Sequence, residues 1–71
     1  MTFNARRFNS KLAKEFPGLV LRAGRGYQYF TLSRPDVYES RSVYVYRMSD
    51  FSEAEWFTEA REFMASLGLK S

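Results

Sequence analysis

At 71 residues the chain is one domain near the lower size limit for independent folding, where the core is small relative to the surface. It holds no cysteine and no histidine, which excludes disulfides and leaves no thiol or imidazole to serve as base, nucleophile or soft metal ligand. Seven Phe, five Tyr and Trp56 are left to supply the buried area. The net charge of +3 is unevenly divided, with seven bases and one acid in residues 1–34 but four bases and seven acids in residues 35–71. A basic end of this kind steers toward phosphates or carboxylates, although the same charges also serve simply to solvate exposed faces.

The first element reads as a helix from about Phe3 to Glu15. Ala5, Phe8, Leu12 and Phe16 recur at helical spacing, Thr2 or Asn4 is placed to cap it, and Pro17 ends it. Arg6, Arg7, Lys11 and Lys14 fall mainly on its other faces and form a candidate basic patch. Leu19 to Ala23 is a short apolar strand, and Gly24-Arg25-Gly26 is a turn. Tyr27 to Ser33, rich in aromatic and β-branched residues, is the second strand of a hairpin.

Arg34 to Ser40, with Pro35-Asp36 and no periodicity, reads as a loop. Arg41 to Met48, centred on Val43-Tyr44-Val45-Tyr46, has the highest strand propensity in the chain and is expected to pair antiparallel with Tyr27–Ser33. Ser52-Glu53-Ala54-Glu55 then fits a capping box, and Phe51 with Trp56 fits a hydrophobic staple. Trp56, Phe57, Ala60, Phe63, Met64 and Leu67 form one apolar face of the closing helix, which Gly68 is placed to end.

The expected fold is α+β, a single domain over residues 1–71. Helix, three-stranded antiparallel sheet and helix follow in order, with both helices on one face of the sheet. Strand alternation then sorts the open face. Leu19 and Leu21 inward send Val20 and Arg22 out, and Phe30 and Leu32 inward send Tyr27, Tyr29 and Thr31 out. For the third strand two registers stand. With Val43 and Val45 inward, Tyr44 and Tyr46 join the open face; the reverse exposes the valines and Arg47. The first is preferred because buried tyrosine hydroxyls would each need a partner. It gives a candidate binding face of Arg22, Arg25, Tyr27, Tyr29, Tyr44 and Tyr46. The plainer account of the same tyrosines is that they are cross-strand pairs stiffening a small sheet.

No catalytic residue, cofactor or metal site is expected. Glu55, Glu59 and Glu62 share a helix surface without the enclosed pocket that tunes a general acid or base. Gly24-Arg25-Gly26 is far short of a nucleotide-binding loop, though Arg25 sits well for a contact at its tip. The longest apolar run, Gly18 to Leu21, is too short for a membrane span or a secretion signal. A soluble chain in the cytoplasm is expected, with no membrane partner.

The element order resembles double-stranded-RNA-binding domains in topology and length. Those domains start their last helix with lysines, where this chain has Ser52, Glu53 and Glu55. Exposed sheet aromatics resemble RNA-recognition motifs, without their four-stranded order. Gly24-Arg25-Gly26-Tyr27-Gln28-Tyr29-Phe30, Ser42-Val43-Tyr44-Val45-Tyr46-Arg47 and Trp56 resemble short uncharacterised proteins of bacteriophages and mobile elements, over about half the chain. That resemblance implies a small accessory protein acting by stoichiometric binding in the cytoplasm of a host cell. The expected function is therefore non-enzymatic binding, and inhibition, of a host protein complex through the Tyr/Arg face. The alternative is a nucleic-acid-binding module that uses the basic half and stacks bases on tyrosine.

Overall fold

A computed structural model describes residues 3–68. Its elements are α1 (Ala5–Glu15), β1 (Leu19–Ala23), β2 (Gln28–Arg34), β3 (Val37–Val43) and α2 (Glu53–Ser66), with a 3-10 turn, Met48–Asp50, leading into α2. The chain thus has the expected α+β order of helix, antiparallel three-stranded sheet and helix, with the strands in the order β1-β2-β3.

Local chemistry sets the ends of α1. The Asn4 side chain accepts the Arg7 backbone N–H at 3.0 Å, satisfying one of the free donors of the first turn. Thr2, the other expected cap, lies outside the described residues. Phe16 leaves helical geometry before Pro17, whose ring disfavours the α region for the residue ahead of it. Phe8 and Leu12, one turn apart, are fully buried.

β1 and β2 pair with Leu19 opposite Leu32 and Leu21 opposite Phe30, and all four side chains are buried on one face. Asn9 fastens α1 to this hairpin. Its side-chain amide donates to the Leu21 carbonyl at 3.0 Å and accepts the Leu21 N–H at 2.9 Å, so it stands in for a neighbouring strand along the β1 edge.

The third strand is displaced from its expected place. Residues 37–40, read from sequence as loop, belong to β3; Tyr44 to Met48, read as strand, do not. Pro35-Asp36 is a tight turn with Arg34 opposite Val37, so pairing resumes at once and runs to Val43 opposite Gln28. Beyond that rung β2 gives way to the Gly24–Tyr27 turn, and no backbone remains to pair with Tyr44-Val45-Tyr46. Strand propensity yields to the lack of a partner. The Gln28 side chain takes over, its Nε2 donating to the Tyr46 carbonyl at 3.2 Å.

α2 closes the core on the same face as α1. Ser52 Oγ accepts the Glu55 N–H at 3.2 Å and Glu55 Oε1 accepts the Ser52 N–H at 2.9 Å, completing the capping box. Phe51 and Trp56 form the staple, with ring centroids 4.9 Å apart. Trp56 is 0% exposed and meets Phe30 of the sheet edge-on at 5.8 Å and Phe3 ahead of α1 at 6.4 Å. Its Nε1 donates to the Met48 carbonyl at 2.7 Å, which satisfies the buried N–H and pins the crossing into α2. No helix among the described residues is long and apolar enough to cross a membrane.

Trp56→Ala is expected to cost about 3–5 kcal/mol, against a total stability of about 5–15 kcal/mol for a domain of ordinary marginal stability. Trp56→Phe keeps most of the ring burial and loses the bond to Met48, so it is expected to cost less. Denaturant titration of the three proteins checks this. Equal stability of wild type and Trp56→Ala would remove the indole from the core.

Candidate binding face

The helices cover Leu19, Leu21, Phe30 and Leu32, and residues of opposite parity make the far face. Its rungs are Arg22–Tyr29–Ser42, Val20–Thr31–Ser40 and Ser33–Tyr38. Arg22 Nε donates to Thr31 Oγ1 at 3.3 Å, a diagonal contact that lays the guanidinium stem across the sheet. None of these strand residues is a carboxylate. The two charges of β3, Glu39 and Arg41, point to the helix side but lie beyond the cover of the helices and are exposed.

At one end of the open face three tyrosines form a row. The Tyr27 ring lies 5.9 Å from Tyr29 and 6.2 Å from Tyr44, tilted by 40° and 42°. The turn holds Tyr27 in place. The Gly24 N–H donates to the Tyr27 carbonyl at 2.8 Å, and Gly26 takes φ +75°, a conformation that costs glycine nothing. Gly24 has a different reason to be glycine: a Cβ there would come within 2.7 Å of the Tyr27 ring.

The candidate residues therefore divide. Arg22, Tyr27, Tyr29 and Tyr44 come together, although Tyr27 and Tyr29 are half-buried where full exposure is expected from alternation, because each shields its neighbour. Arg25 is exposed at the turn tip beside them. Val43 is buried and Val45 packs on the core, while Tyr44 and Tyr46 are 85% and 72% exposed. The valines do face inward, Val43 from the last rung of β3 and Val45 from the segment that follows the strand. Tyr46 joins no other tyrosine ring among the described residues and instead lies 5.8 Å beneath the Arg47 guanidinium.

The second basic patch lies elsewhere. Arg6, Arg7, Lys11 and Lys14 are exposed on α1, in the helical layer. Lys11 is drawn to Glu53 of α2 at 2.7 Å, and Glu15 of α1 to Arg61 of α2 at 3.1 Å. These exposed pairs add little stability, on the order of 0–1 kcal/mol each, but they mix both signs of charge on that surface. Arg7 borders an open groove of about 440 Å³ between the starts of the two helices, lined also by Phe3, Phe51 and Glu53. Among the described residues no cluster of acidic, histidine or cysteine side chains is placed to hold a metal.

Tyr38, 71% exposed, was not among the sequence candidates. It stands opposite Ser33 at the far end of the open face. Reading Arg34-Pro35-Asp36-Val37 as a two-residue hairpin turn is the signal that finds it, since the strand then begins at Val37. Comparison of the chain with protein-family models, with curated proteins and with solved structures finds no match.

Gly24→Ala is expected to swing Tyr27 out of the row while lowering stability by only about 1 kcal/mol, because the backbone there needs no positive φ. Nuclear Overhauser contacts between the Tyr27 and Tyr44 rings should vanish with the Trp56 resonances unmoved. Persistence of those ring contacts would contradict the packing described for the turn.

Proposed function

We propose that the chain is a non-enzymatic binding module whose open sheet face holds a protein partner. Tyr27, Tyr29 and Tyr44 are its apolar anchors, with Arg22 and Arg25 beside them. The observation that carries this reading is the row of tyrosine rings on a helix-free face, next to an arginine already held against Thr31. Tyrosine and arginine are enriched at interface hot spots: tyrosine buries much area at small entropic cost and carries a polar tip, and arginine presents a planar fork of donors. The bases of α1 lie in the other layer and share it with Glu53 and Glu15, so the basic half of the sequence does not make one continuous phosphate-binding surface with the tyrosines. In the setting implied by the resemblance to phage accessory proteins, the partner is a component of a host complex in the cytoplasm, and stoichiometric occupation inhibits it.

A second reading rests on one specific observation: the strand residues of the open face carry Arg22 and no carboxylate. Single-stranded nucleic acid stacked on Tyr29 and Tyr44 fits that face.

Tyr29→Ser with Tyr44→Ser is expected to leave the fold intact by circular dichroism and to abolish capture of the partner from host lysate treated with nuclease. Salt separates the two readings. A tyrosine-centred protein interface responds mildly between about 50 and 200 mM salt, whereas nucleic-acid binding falls steeply as counterions are released. Undiminished capture by the double variant would dismiss the face as a protein-binding surface.

A further inference from the structure

The sheet has two edges, and the fold treats them differently. On β1 the outward backbone of Leu21 is taken by Asn9, and the Leu19 N–H donates to the Phe16 carbonyl. On β3 nothing comparable happens. The parity follows from bonds that flank the hairpin. Ser33 donates to the Gly18 carbonyl and Gly24 to that of Tyr27, so Tyr29, Thr31 and Ser33 turn their backbone groups toward β1, and Gln28, Phe30, Leu32 and Arg34 turn theirs toward β3. Their β3 partners are Val43, Arg41, Glu39 and Val37. The alternate residues Tyr38, Ser40 and Ser42 then aim N–H and C=O outward, and among the described residues no side chain or loop bonds to them.

A bare edge is an invitation to strand addition, and proteins commonly blunt it with charge. Here the charges are Glu39 and Arg41, placed symmetrically about Ser40. We infer that β3 pairs antiparallel with β3 of a second copy of this chain, about a two-fold axis through Ser40, giving one continuous sheet across a symmetric dimer.

The register is selected by charge. Centring the axis on Glu39 sets Glu39 against Glu39 of the second copy, and centring it on Arg41 sets arginine against arginine. Like charges directly opposite one another are repulsive across strands. Centring on Ser40 sets Glu39 opposite Arg41 of the second copy, and Arg41 opposite its Glu39. In that register the outward backbone groups also meet correctly: Ser40 with Ser40, Tyr38 with Ser42, Ser42 with Tyr38. An isologous interface needs this self-complementarity.

The pairing also extends the tyrosine face. Tyr38 of the second copy comes to lie opposite Ser42, which itself lies opposite Tyr29. Both open faces then share one side of a single sheet, with Tyr38 of each copy next to the tyrosine row of the other. The dimer does not depend on whether that face takes protein or nucleic acid.

Charge reversal with rescue tests the register. The full chain and the variants Glu39→Arg, Arg41→Glu and the double swap are followed by sedimentation velocity from about 5 µM to about 1 mM, with circular dichroism to establish folding. The wild type is expected to dimerise reversibly, each single reversal to weaken the dimer by about tenfold or more, and the double swap to return it to near the wild-type constant. Ser40→Pro, which removes an outward donor at a position where an edge strand tolerates proline, is expected to be folded and monomeric. A wild type that stays monomeric throughout overturns the inference. So does a dimer indifferent to the single reversals, or folded single variants that the double swap fails to rescue.

Discussion

Pro35 and Asp36 leave no slack between β2 and β3, and most of the outward-facing surface depends on that. Because the strand restarts at Val37, it reaches the end of its partner at Val43. Tyr44 to Tyr46 are released from the sheet and re-anchored by the Gln28 side chain. The same constraint decides which side chains of β3 face out, placing Tyr38, Ser40 and Ser42 on the open face and Glu39 and Arg41 on the other. A loop one residue longer would exchange those sets, since strand alternation has a period of two. It would turn Tyr38 to the helix side and move the two charges to the open face.

The helical layer works by closing surfaces. Its aromatic core, gathered around Trp56, covers β1 and β2 on one face of the sheet, and Asn9 occupies the β1 edge at Leu21. Among the described residues, one face and one edge, meeting along β3, are left uncovered. With so small a core, the burial of Trp56, Phe8, Phe30 and Phe63 carries much of the stability, each worth about 1.5–3 kcal/mol or more by area. The exposed tyrosines and β3 charges contribute little to that core and are free to serve a partner. On the proposed reading, stability and recognition are divided between opposite sides of one three-stranded sheet.

How much of this was legible in the sequence follows from how local each signal is. The caps at Asn4 and Ser52, the stop at Pro17 and the staple of Phe51 on Trp56 involve neighbours in the chain, and both helices and the first hairpin could be read from them. β3 could not. Its residues are exposed on both faces, so no alternation marks it, while Val43-Tyr44-Val45-Tyr46 has strand propensity but no backbone left to pair with. Tyr27, Tyr29 and Arg22 were legible as one face because β1 and β2 do alternate. Tyr38 was hidden by the misplaced strand. Asn9 in mid-helix reads only as a weak helix former, because its partner Leu21 lies in another element. The pairing of Lys11 with Glu53, 42 residues apart, is likewise invisible to composition.

Amide hydrogen exchange, resolved by residue in a sample dilute enough to be monomeric, tests the placement of β3 most directly. The account predicts an alternation, with slow exchange at Glu39, Arg41 and Val43, whose N–H groups bond to β2, and fast exchange at Tyr38, Ser40 and Ser42 along the free edge. Tyr44 and Tyr46 should also exchange fast. Slow exchange at Tyr44 and Tyr46 together with fast exchange at Glu39 would place the strand where its propensity is highest and contradict both the open face and the free edge described for this chain.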